Sequence, residues 1–195
     1  MIAMASNLDP GLLKELTEAK GDLARHGIVI IRTVETELEP AIMAAVKDSL
    51  EASPMKLEDM KEGDLDELLG ELRKAAMGSA KELAGLYIRL LGKLGTEYIG
   101  DLVKELEGIG QLFRWERISQ VAKPVDDILG REGFGPVDLR GPSDISESFK
   151  LELESKWAPA FERFKALADR AAEQLGKKGM PEPRPARERK SSRKR

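Results

Sequence analysis

Apolar residues recur every three to four positions along most of this chain, and that spacing constrains its fold more than any other feature. An α-helix has 3.6 residues per turn, so each such stripe lies on one helical face that must be buried. The stripes continue, with interruptions, through residues 1–176. They predict an all-α domain over 1–176, a multi-helix bundle of about six helices with several kinked by proline.

Proline, glycine and capping residues indicate where the first helices begin and end. Asp9, followed by proline, predicts a helix start, and Gly27 predicts its end as a left-handed cap. A second helix is then expected over 28–50. Pro40 should kink or split that helix, because proline lacks the backbone N–H that the helix needs.

The later part of the chain contains a loop and one ambiguous segment. Asp64, with Glu67 three positions on, resembles a capping box and predicts another helix start, and Asp144 with Glu147 is a candidate cap for the last helix. Four glycines and two prolines predict a loop over 130–144. The segment 148–154 alternates apolar and polar residues as a strand would, yet it also continues a four-residue apolar spacing. We predict helix there, with a short β-hairpin near 134–154 as the alternative.

Residue types that carry most enzyme chemistry are scarce. The chain has no cysteine and a single histidine, His26, which excludes disulfides, thiol nucleophiles and sites that need two histidines. His26 beside a glycine is typical of a cation at a helix C-terminus. The acidic run 58–67 lacks the ligand spacing of a calcium loop, and 130–136 lacks the Gly-Lys-Ser/Thr ending of a phosphate-binding loop. We predict no catalytic residue, no cofactor and no metal site.

Charge divides the chain into an acidic body and a basic tail. Residues 177–195, the basic tail, carry nine Lys/Arg against two Glu, a balance of +7, whereas 1–176 carry 23 Lys/Arg against 33 Asp/Glu, a balance of −10. Three alternating prolines and the lack of an apolar stripe predict that the tail is disordered. The residues predicted to bind polyanions are Arg184, Arg187, Arg189, Lys190, Arg193, Lys194 and Arg195.

These features predict an interaction protein rather than an enzyme. The predicted function is a non-catalytic helical scaffold that self-associates and whose tail docks on acidic partners, the chain's own body included. The alternative is a nucleic-acid-associated protein that binds phosphate backbones through the tail. No stretch approaches 18 uncharged apolar residues, and the first ten residues do not resemble a secretory signal. We therefore expect a cytoplasmic protein with no membrane span.

Two further patterns predict packing. Gly78, Gly85 and Gly92 recur every seven residues, so they share one face of a helix. Glycine inside a helix costs up to ~1 kcal/mol relative to alanine, so we predict that this face makes a close helix contact, either within the chain or with a second copy. Trp157 lies in the middle of the last apolar stripe, and we predict that its ring is buried rather than stacked on nucleic-acid bases.

Overall fold

Two long antiparallel helices form the framework of the molecule. The computed structural model describes residues 8–96, 109–110 and 113–179, and within those ranges it contains helices and loops but no strand. Helix α1 (Pro10–Glu51) is joined through the short α2 (Pro54–Asp59) to α3 (Glu62–Thr96). The short link turns the chain back on itself, so α1 and α3 pack side by side along much of their length. The predicted all-α class is confirmed.

The remaining described elements cover this pair. The chain continues through α4 (Trp115–Gln120), α5 (Lys123–Arg131) and a 3₁₀ turn (Pro142–Asp144). Three helical stretches then follow without a break: α6 (Glu147–Lys150), a π-helical segment (Leu151–Trp157) and α7 (Ala158–Gly179). We call this rod, residues 147–179, the C-terminal helix. It packs on α1, while α5 packs on α3.

Burial of one apolar face of α1 organises the core. Its buried side chains follow the predicted helical spacing over the whole length of the helix, and they contact both α3 and the C-terminal helix. Since most helical stability in proteins comes from such packing rather than from intrinsic propensity, α1 remains continuous through 42 residues. The buried α1 residues include Leu12, Leu16, Leu23, Ile30, Val34, Leu38, Ile42, Val46 and Leu50.

The predicted division of α1 into two helices is wrong. Gly27 does not cap a helix but lies buried in the middle of α1. A Cβ atom at Gly27 would lie 2.8 Å from Leu91 Cδ2, so the glycine allows α3 to approach closely. Pro40 also lies inside α1 without splitting it. The buried side chains of Leu38 and Ile42 anchor the helix on both sides of that proline.

Of the three predicted N-terminal caps, one is confirmed. Asp9 caps α1, its Oδ2 accepting a hydrogen bond from the backbone N–H three residues later at 3.0 Å. Asp64 is not a cap, because α3 begins at Glu62 and Asp64 falls within its first turn. The C-terminal helix is capped by Ser146. Asp144 instead accepts hydrogen bonds from two backbone N–H groups of the preceding loop.

The ambiguous segment is helical. Residues 148–154 belong to the C-terminal helix, and no hairpin occurs near 134–154 in this described part of the chain. The predicted loop is present over 132–141. The C-terminal helix reaches Gly179, three residues beyond the predicted boundary at 176. No helix in the described ranges is both long enough and apolar enough to cross a membrane.

Candidate functional site

A cleft of about 350 Å³ opens between one wall, formed by Gly110 and residues 113–116, and the C-terminal helix. Its walls include four aromatic side chains, and both tryptophans of the chain are among them. A Cβ at Gly110 would lie 2.5 Å from Phe161 Cζ, so the glycine lets the two walls come together. We call this site the aromatic cleft; its aromatic residues are Phe113, Trp115, Trp157 and Phe161.

A row of stacked rings connects the aromatic cleft to the core. Ring centroids are 4.3 Å apart between Tyr87 and Phe113, 4.2 Å between Phe113 and Trp157, and 5.2 Å between Trp157 and Phe161. Trp157 is 4% exposed, which confirms its predicted burial. Trp115, in contrast, is only half-buried. Trp115 therefore offers the most accessible aromatic surface in the cleft.

Acidic side chains surround the cleft. Glu116, Glu154 and Glu162 line it and are exposed, and Arg114 is the cation that accompanies them. Within the described chain none of these three carboxylates makes a hydrogen bond or an ion pair. The rim therefore presents a negative potential that no neighbouring cation neutralises by direct contact.

Two buried polar atoms along the aromatic row have no hydrogen-bond partner among the described residues: Trp157 Nε1 and the Tyr87 hydroxyl. A buried donor without an acceptor costs about 1–3 kcal/mol. Burial also raises the pKa of Tyr87 far above its ordinary value, only slightly offset by Arg117. Tyr87 therefore stays protonated, and the Trp157 N–H stays unpaired among the described residues, beneath the cleft surface.

A buried carboxylate lies on the same π-helical segment as Trp157. Glu152 Oε1 accepts a hydrogen bond from His26 Nδ1 at 2.6 Å, and Glu152 Oε2 accepts one from Lys156 Nζ at 2.8 Å. We call His26, Glu152 and Lys156 the Glu152 cluster. His26 is thus not a helix-terminal cation as predicted, because α1 continues past it and packs it against the C-terminal helix. His26 and Glu152 are 126 residues apart in the chain.

The Glu152 cluster changes the acidity of its carboxyl group. Burial raises the pKa of Glu152, but the hydrogen bonds and charges of Lys156 and His26 outweigh it and hold this pKa below the ordinary value of 4.5. When the pKa of a group is lower in the folded state than in the unfolded state, the group stabilises the fold at pH values above its unfolded-state pKa. That contribution is lost as the pH falls through the folded value.

The stability of the protein in acid should therefore depend on the ionisation of Glu152. We expect the urea midpoint of the native protein to fall more steeply between about pH 5 and pH 3 than that of Glu152→Gln, which has no carboxyl group to protonate. Glu154→Gln, at an exposed neighbouring position, should keep the native slope. Far-UV circular dichroism during urea titration at several pH values measures both. Equal slopes for Glu152→Gln and the native protein would contradict the assignment.

The predicted glycine face leaves room for added side chains among the described residues. A Cβ at Gly78 or Gly92 would meet no atom within 4 Å, and one at Gly85 would meet only Arg89 Nη1 at 3.9 Å. Contact of this face with a second copy stays a prediction. The seven predicted polyanion-binding residues, Arg184 to Arg195, lie outside the described residues.

The aromatic cleft could not be recognised from the sequence, because its walls come from segments about forty residues apart. The available signal was the spacing of Glu154, Trp157, Phe161 and Glu162 on one helix. In the described ranges no group of three or more His, Cys, Asp or Glu side chains could hold a metal ion. Aromatic faces beside free carboxylates are suited to binding a cation.

Comparisons with protein-family models, curated proteins and solved structures give no match to this chain.

Proposed function

We propose that this chain is a non-catalytic helical interaction protein that binds arginine-rich segments in the aromatic cleft and docks on acidic partners through its basic tail. The observation that carries the proposal is the half-buried ring of Trp115 in a cleft with three exposed glutamates that have no ion-pair partner among the described residues. Self-association through the face of Gly78, Gly85 and Gly92 is part of the same proposal.

Arginine fits this site better than lysine does. Its guanidinium is planar, stacks on an indole ring and donates two parallel hydrogen bonds to one carboxylate. Trp115 provides a half-buried ring next to Glu116, and Glu154 and Glu162 stand on the opposite wall. A cation over a tryptophan face gains roughly 0.5–2 kcal/mol, depending on how far it is desolvated. A short segment with several arginines can use several of these contacts at once.

The tryptophans provide the readout for a test. Titrating the full-length protein with a peptide of alternating arginine and alanine should change tryptophan emission, because both tryptophans line the cleft. The matching lysine peptide should bind several-fold more weakly. The double variant Glu154→Lys/Glu162→Lys should lose at least about tenfold in affinity, or ~1.4 kcal/mol.

Glu35→Lys serves as the matched control, since Glu35 is an exposed glutamate on α1 that does not line the cleft. It makes one Glu→Lys change where the double variant makes two, and it should bind like the native protein. Circular dichroism checks that all variants keep their helix content. If the double variant binds the arginine peptide as tightly as the native protein, the cleft is not the binding site.

The alternative function, binding of nucleic-acid phosphates by the basic tail, is supported by the +7 balance of residues 177–195. Such binding should weaken by about 0.9 log unit per decade of salt for each phosphate neutralised on duplex DNA. The double variant in the cleft should leave duplex binding intact or strengthen it, because it makes the body less acidic. Full-length protein that binds duplex DNA but not the arginine peptide would favour this alternative.

A further inference from the structure

The C-terminal helix places the aromatic cleft at a known distance from the end of the described chain. Gly179 ends the helix, and Phe161 lies 18 residues before it, which corresponds to ~27 Å of α-helix. Glu154 lies 25 residues before Gly179, or ~37 Å. A segment that folds back along this helix from its end must therefore span ~27–37 Å to reach the cleft.

The chain beyond Gly179 is long enough to do so. Sixteen residues follow, and Pro181, Pro183 and Pro185 favour an extended polyproline conformation with ~3.1 Å per residue. Arg187 would then lie ~25 Å from Gly179, and Arg195 ~50 Å. The part of the chain that comes level with the cleft therefore begins at Arg187.

The charge of that part is complementary to the rim. Residues 187–195 contain six Lys/Arg and one Glu. The rim of the cleft carries Glu116, Glu154 and Glu162 against one arginine. The preceding residues 180–186 hold one arginine and one glutamate, so they act as a neutral spacer. The half-buried ring of Trp115 leaves an aromatic surface against which an arginine of that part can stack.

We infer that residues 187–195 of the chain's own tail occupy the aromatic cleft, with their arginines against Trp115 and the rim glutamates. This inference rests on the proposed function, since it names the first occupant of the same site. Attachment through a short spacer gives the tail an effective concentration of the order of millimolar at the cleft. The tail therefore competes with any arginine-rich partner, and a partner that captures the tail opens the cleft.

Energy transfer within the full-length protein tests this occupancy. The chain has no cysteine, so Ser192→Cys provides a single thiol for a dansyl acceptor, and both donor tryptophans line the cleft. We expect efficient transfer at low salt that does not depend on protein concentration. Transfer should fall to the level of the urea-unfolded chain in Glu154→Lys/Glu162→Lys, and should be retained in Glu35→Lys.

A second measurement uses the unlabelled full-length protein. Replacing Arg187, Arg189, Lys190 and the three final basic residues with glutamine should release the cleft. This variant should bind the alternating arginine–alanine peptide about tenfold more tightly than the native protein does. Equal affinity would overturn the inference and leave the proposed function standing, whereas failure of both proteins to bind the peptide would overturn the two together.

Three results of the transfer experiment would also overturn the inference. Transfer no higher than in urea would show that the tail does not dock. Transfer that rises with protein concentration would show docking on a second copy instead of on the chain itself. Transfer that persists in Glu154→Lys/Glu162→Lys would place the tail at another site.

Discussion

Replacing Trp157 with alanine should lower the free energy of unfolding by about 3–5 kcal/mol, the usual range for a large aromatic side chain in a core. Trp157 stacks between Phe113 and Phe161 and is 4% exposed, so its removal leaves a cavity between these two rings. Urea denaturation followed by far-UV circular dichroism measures the loss.

Trp115→Ala is the matched control for this experiment. Trp115 lines the same cleft but is only half-buried, so its removal should cost clearly less. Trp157→Phe keeps an aromatic ring in the row and should fall between the native protein and Trp157→Ala. A loss below about 1 kcal/mol for Trp157→Ala would show that the ring is not part of a packed core.

Replacing Tyr87 with phenylalanine should stabilise the protein, whereas replacing Trp157 with alanine destabilises it. The Tyr87 ring is fully buried and stacks on Phe113, and its hydroxyl has no hydrogen-bond partner among the described residues. A buried polar group without a partner costs about 1–3 kcal/mol. We expect Tyr87→Phe to raise the free energy of unfolding by about 1 kcal/mol, because it removes the hydroxyl and keeps the stacked ring.

Tyr87→Leu distinguishes the hydroxyl from the ring. It removes both, so it should destabilise the protein by urea denaturation although it also removes the unpaired hydroxyl. A lower stability for Tyr87→Phe than for the native protein would mean that the hydroxyl makes a favourable hydrogen bond. The two variants together therefore separate the contribution of stacking from the cost of the buried oxygen.

The helical class could be predicted because periodic burial is repeated along the chain, whereas helix ends depend on single residues. Gly27 has the local sequence pattern of a cap, but its lack of a side chain instead makes room for Leu91 of α3. A cap is a local signal, and tertiary packing overrides it when both neighbouring turns are buried. Pro40 follows the same rule, since the packing of α1 continues on both sides of it.

The aromatic cleft and the Glu152 cluster were harder to predict from the sequence than the helical class. Burial of Trp157 follows from its place in one apolar stripe and is confirmed. The pairing of His26 with Glu152 joins residues 126 positions apart, and neither residue carries a signal for the other. The cleft likewise requires residues 113–116 to meet the C-terminal helix. Juxtapositions of this kind depend on how the helices pack, which periodicity alone leaves undetermined.

The π-helical segment Leu151–Trp157 sets the rotational phase of everything that follows it. A π-turn contains more residues than an α-turn, so Glu152 faces α1 while Trp157 faces the aromatic row. If the same residues were wound as an α-helix, at about 100° per residue, Glu152 and Trp157 would lie about 140° apart around the helix axis. Glu152 and Trp157 could not then both keep their contacts. We therefore expect exposed positions in this segment, such as Ser155, to tolerate substitution as long as the π-helical winding is kept.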